Sequence, residues 1–135
     1  MIFIDTGAFL ARYLSQDQYH EQAIRLWNKL ETSQQSICTS NFVVDETITL
    51  LARKASYSFA AQKAKLIFSS NILEIIRVDA KLELQAVQLF EKYADQKVSF
   101  TDCVSFAIMR QNNIDEVLGF DKHFEYVGFK FFSEN

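Results

Sequence analysis

The 135-residue chain has no proline, three glycines and two cysteines. Gly7, Gly119 and Gly128 are too sparse for a Gly-rich dinucleotide loop or a P-loop, both of which need clustered glycines to bring backbone amides up to phosphates. Cys38 and Cys103 form no CxxC pair, and His20 and His123 stand alone. A zinc site is therefore not expected, and both thiols are expected to fill core space in a reducing compartment. No run approaches the ~20 apolar residues of a membrane span. No basic region precedes "MIFI", and Asp5 interrupts that run, so a signal peptide is not expected and the expected location is the cytoplasm. Acidic residues are missing from one long stretch. Between Thr47 and Leu73 there are none, while Arg53, Lys54, Lys63 and Lys65 all fall there. The net charge of −3 is thus the balance of a positive segment and a strongly negative remainder. An acidic protein can still meet a polyanion when its positive charge is gathered on one surface.

What is present is a globular composition, 49% apolar, in a length suited to one domain over residues 1–135. Strand and helix patterns alternate without a linker or repeat. "MIFID", "SICTS", "ILEIIRV", "EVLGF" and "FKFF" read as strands. Helices are expected over "TGAFLARYL", over 19–32 with Ile24, Trp27 and Leu30 on one side, and over "NFVVDETITLLARKA" with Val44, Ile48, Leu51 and Ala55 inward and Ser40 as its N-cap. Three more follow: "SFAAQKAKLIFSS", "DAKLELQAVQLFEKYA", and "TDCVSFAIMRQN", which is apolar almost all round and so central. Such alternation predicts an α/β fold, a mostly parallel sheet sandwiched between helices. In such sheets ligands sit beyond the carboxyl ends of the strands, at a topological switch point.

Four carboxylates stand out by position. Asp5 ends the first strand, Asp121 follows the fourth, Asp102 opens the apolar helix, and Glu46 borders an apolar helix face. Each alone has an ordinary reading as a cap, a turn residue or a solvated side chain. Together they suggest a site, because neighbouring carboxylates repel unless a cation binds, and oxygen-only ligands suit Mg²⁺ or Mn²⁺. Periodicity does not choose between Glu46 and Asp45, which lies at the opposite border of the same face.

The stretches "MIFIDTGAFLA", "TSNFVVDETITLL", "VSFTDCVSFAIM" and "VLGFDKHFEYVGF" resemble, in order and spacing, the PIN-domain ribonucleases, most closely the VapC-like toxins of toxin–antitoxin pairs. The resemblance implies an acidic metal site of Asp5, Glu46, Asp102 and Asp121, choosing Glu46 over Asp45, with Thr6 and Thr101 in support. His123 fits the family's "D-x-H-F" ending without a catalytic role. A Mg²⁺-dependent endoribonuclease leaving 5′-phosphate and 3′-hydroxyl ends is implied, with a cognate antitoxin and a second copy as partners. A catalytically inactive RNA-binding or regulatory module on the same fold is the alternative. Arg53, Lys54, Lys63 and Lys65 are either a phosphate track or a solvated helix face. Phe42, Tyr57 and Phe59 are either contact residues or core.

Overall fold

The computed structural model describes every residue from Met1 to Asn135. Strand β1 (Ile2–Ile4) is buried at all three positions, which an apolar run achieves only when helices cover both faces of its sheet. The chain continues through α1 (Thr6–Tyr13), α2 (His20–Ser33), β2 (Ile37–Ser40), α3 (Asn41–Lys54), α4 (Tyr57–Ser69) and β3 (Leu73–Ile76). It then forms α5 (Ala80–Lys92), a 3₁₀ turn (Ala94–Gln96), α6 (Phe100–Gln111), β4 (Glu116–Leu118), α7 (His123–Tyr126) and β5 (Lys130–Phe131). All five strands are parallel, in the order β3-β2-β1-β4-β5. The chain winds outward from β1 to β3, then returns past it to β4. The switch point therefore lies between the carboxyl ends of β1 and β4.

Polar groups tie those carboxyl ends together. The Asp5 amide donates to Leu118 O at 3.0 Å, carrying the β1–β4 ladder one residue past the strand. The buried Thr39 hydroxyl donates to Ile4 O at 2.7 Å, and the Val78 amide donates to Asn41 Oδ1 at 3.0 Å. Ser40 caps α3 as expected, its hydroxyl accepting from the Val43 amide at 3.1 Å. Helix α6 is buried from Asp102 through Met109, in keeping with its apolar circumference. Its Phe106 meets Phe124 edge-on at 5.0 Å, and on the other side of the core Phe9 packs on Trp27 at 5.6 Å. No helix is long and apolar enough to cross a membrane.

Some expectations need correcting. Ile24 is 37% exposed, because the inward face of α2 runs through Ala23, Leu26, Trp27 and Leu30 instead. Ala55 is exposed, because α3 ends at Lys54 and Ala55 is its C-cap. Helix α7 has no counterpart in the sequence reading; four residues are too few to show a helical period. Of the three ambiguous aromatics, Phe42 and Phe59 are half-buried against the core, whereas Tyr57 is exposed.

Candidate active site

Asp5 occupies the N-cap position of α1, yet its carboxylate makes no capping bond. It is buried, and its Oδ1 has no hydrogen-bond partner. The neighbouring Thr6 hydroxyl is also buried and unpartnered. Leaving such atoms unpaired costs about 1–3 kcal/mol each, so the cap reading does not account for Asp5. Gly119, the first residue beyond β4, makes room for it: a Cβ there would stand 3.1 Å from the Cβ of Asp5.

Asp102 lies in the first turn of α6, which Ser99 caps by accepting from the Asp102 amide at 3.1 Å. The carboxylate is buried, whereas a first-turn acid serving only the helix dipole would remain solvated. Asp121 follows β4, and its Oδ1 accepts from the His123 amide at 2.9 Å in an Asx turn that starts α7. Glu46, one turn into α3, is half-buried, and Asp45 is exposed. Asp5, Thr6, Glu46, Asp102 and Asp121 together line a cleft of about 330 Å³ that has no hydrophobic wall.

Electrostatics follow from that crowding. Burial raises the Asp5 carboxyl well above the usual carboxylate range, and the charges of Asp102, Asp121 and Glu46 add to the effect. Burial likewise pushes Asp102 up to about 7, helped by the charge and hydrogen bond of Asp121 and opposed by the Ser99 hydroxyl. One liganding atom each from Asp102, Asp121 and His123 lie within 4.8 Å of one another.

Not every predicted residue arrives here. Thr101 does not line the cleft; its carbonyl accepts from Ser105 one turn on. Arg53, Lys54, Lys63 and Lys65 lie outside it as well. Lys63 sits over the rings of Tyr13 and Phe59, at 5.2 and 5.1 Å. Conversely, Lys97, Ser99 and His123 line the cleft without having been assigned to it. Of these, His123 carried a signal in its spacing of two from Asp121, whereas Lys97 carried none. His123 Nε2 lies 3.0 Å from the Gln96 carbonyl, which can only accept, so that nitrogen bears the hydrogen. Its Nδ1 stands 2.8 Å from Asp121 Oδ1.

A PIN-domain model matches residues 2–130. The chain belongs to the PIN-domain family. Within that family it is VapC-like: it is 36% identical to the 23S rRNA-specific endonuclease VapC20 of Mycobacterium tuberculosis, over 96% of this chain and 95% of that protein. The crystal structure of VapC20, described as a Sarcin-Ricin loop cleaving toxin, superposes with a TM-score of 0.87 at 35% identity, covering 96% of both chains. The same fold recurs in VapBC2 of Rickettsia felis, at a TM-score of 0.69 and 15% identity over 97% of each chain. It recurs again in VapBC of Salmonella typhimurium, at 0.67 and 16% over 97% of each chain. In this PIN domain the cysteines offer no nucleophile. Both are buried, and burial chiefly pushes Cys38 up to about 12 and Cys103 up to about 11.

Proposed function

We propose that this PIN domain is a Mg²⁺- or Mn²⁺-dependent endoribonuclease, the toxin of a toxin–antitoxin pair, acting on structured ribosomal RNA. The observation that carries the reading is the convergence of four carboxylates at the sheet's switch point, with a buried oxygen of Asp5 left unpartnered. That donor set fits a hard divalent cation: every acid offers oxygen, and a cation there would favour the ionised forms of Asp5 and Asp102 against the burial and neighbouring charge that raise their carboxyls. Asp5, Asp102 and Asp121 would hold the cation. Bound there, the ion would supply Lewis-acid stabilisation of the phosphate and a more acidic water.

The remaining work falls to the chain. Glu46, at the cleft wall but less buried than Asp5 and Asp102, orients the attacking water. The Thr6 hydroxyl supports the Asp5 side of the site. Lys97, as the only lysine in the cleft, meets phosphate oxygens. No covalent intermediate is involved. The RNA assignment rests on VapC20, whose name specifies 23S rRNA and whose structure is described as that of a Sarcin-Ricin loop cleaving toxin. An antitoxin and a second copy of this chain are the proposed protein partners, and the cytoplasm is the proposed location. Exposed Leu66, Phe68, Leu84 and Phe90 provide apolar surface for those partners.

The test is cleavage of a 23S rRNA transcript containing the sarcin–ricin loop, with the cut mapped by primer extension. Mg²⁺ or Mn²⁺ should support a single cut and EDTA should stop it. Asp102→Asn should lower the rate at least a hundredfold, the scale of losing a group that organises transition-state charge. Wild-type rates in Asp102→Asn on the cleaved substrate would overturn the site.

A further inference from the structure

A second polar groove lies between α5 and α6, outside the acidic cleft. It encloses about 530 Å³ and its charged lining residues are Lys81, Lys92 and Arg110, with no carboxylate among them. The rest of its polar lining is amide: Gln85, Gln88 and Gln111. On α5 the contributing positions are 81, 85, 88 and 92, which recur at helical spacing and so form one polar stripe. None of the three cations has a carboxylate within 4 Å, although the chain carries 17 acidic residues. Arg110 is held in place by weak bonds of 3.4 Å from its Nη2 to Tyr93 Oη and the Val127 carbonyl, leaving its other donors free. A solvated helix face in an acidic protein would be expected to mix signs; this groove excludes one.

The elements that build the groove also carry residues of the site. Lys92 ends α5, and the chain then turns through Ala94–Gln96 to Lys97, which lines the acidic cleft. Helix α6 joins the two from the other side, with Asp102 at one end and Arg110 eight residues on, roughly 12 Å at 1.5 Å per residue. A strand bound across four carboxylates meets repulsion there, so its flanking phosphates gain from cations placed beside the cleft rather than within it.

We propose that the α5–α6 groove binds the sugar-phosphate backbone of RNA flanking the cleaved bond. Lys81, Lys92 and Arg110 contact phosphates, and the three glutamine amides bond to phosphate or 2′-hydroxyl oxygens. The nature of the polyanion rests on the ribonuclease reading; the groove and its charge do not.

The test is binding of a fluorescein-labelled single-stranded oligouridylate to the full chain, by anisotropy, without divalent ions and across a range of NaCl concentrations. Lys81→Gln, Lys92→Gln and Arg110→Gln together should weaken binding about tenfold or more. They should also flatten the log–log salt dependence by roughly 2, at about 0.7 per lost contact on a single strand. A control with Arg25→Gln, Lys29→Gln and Lys130→Gln removes the same number of positive charges elsewhere. Unchanged affinity and slope in the groove variant, or an equal loss in the control, would overturn the proposal. So would retained RNA binding with lost self-association in sedimentation, which would assign the groove to a second copy. Since anisotropy needs no cleavage, an RNA-binding chain that cuts nothing would overturn the nuclease reading and leave the groove standing. In cleavage assays the groove variant should raise KM on long RNA with kcat little changed, because its contacts are equally present in ground and transition states.

Discussion

Asp5 is the residue at which stability and function pull apart. A carboxylate at the end of a fully buried strand, unpartnered and next to other acids, raises the free energy of the folded state. Removing its charge is expected to relieve that cost. In metal-free protein at neutral pH, Asp5→Asn should melt at or above the wild-type temperature. It should lose cleavage, and Mg²⁺ should raise its melting temperature less than it raises that of wild type, since binding to the native state is what stabilises. Asn caps helices as well as Asp, so a purely capping Asp5 predicts wild-type melting, a normal Mg²⁺ response and retained cleavage; that pattern would sink the ligand role. The site was partly legible at this scale. Apolar runs ending on Asp5 and preceding Asp121 marked strand ends in the sequence. The choice between Asp45 and Glu46 was not legible from periodicity, because both border the same apolar face. It depends on which border of α3 faces the switch point, a matter of how the helix packs.

At the scale of elements, the site depends on how helices begin. Helix α3 carries Glu46, and it starts at a buried Ser40 whose hydroxyl satisfies the Val43 amide. Ser40→Ala leaves that donor unpaired. The expected loss is about 1 kcal/mol, or about 3 °C in Tm for a chain of this size, with Mg²⁺ still stabilising and cleavage retained. A Tm within error of wild type would show that the cap contributes nothing. The cap was readable from sequence because its chemistry is local. Helix α7 was not readable, because it is too short to show a period and its Phe124 is buried by distant partners such as Phe106.

The positive segment Thr47–Leu73 also belongs to this scale. Arg53 and Lys54 fall in the last turn of α3, where cations favour the helix dipole, and Lys63 rests on two aromatic rings. Lys65 is exposed, and none of the four lines the acidic cleft. Replacing Arg53, Lys54, Lys63 and Lys65 by Ala is therefore expected to lower Tm while leaving the salt slope of RNA binding unchanged. A slope reduced by about 0.7 per residue would establish the phosphate-track reading instead.

For the whole molecule, the parallel sheet decides where the charge collects. The order β3-β2-β1-β4-β5 brings residues as distant in sequence as Asp5 and Asp121 to one point. Their burial and mutual repulsion then become properties of the fold. Asp102 in the folded chain titrates at about 7, against an ordinary carboxylate value near 3.8, and Asp5 is raised as well. Between those two values the folded state holds more protons than the unfolded state, so stability falls as pH rises. The advantage is complete below the unfolded value and gone once pH has passed the folded one. In metal-free protein, Tm should therefore decline from pH 5 to pH 7, as Asp102 loses a stability advantage of order a few kcal/mol. Mg²⁺ binds the ionised acids and must displace their protons, so its stabilising shift should grow over the same range. Thermal melts at a series of pH values, with EDTA and with Mg²⁺, give both curves. A metal-free Tm that stays flat or rises from pH 5 to 7, or a Mg²⁺ shift independent of pH, would mean that Asp5 and Asp102 do not carry the raised carboxyls that their burial in the cleft produces.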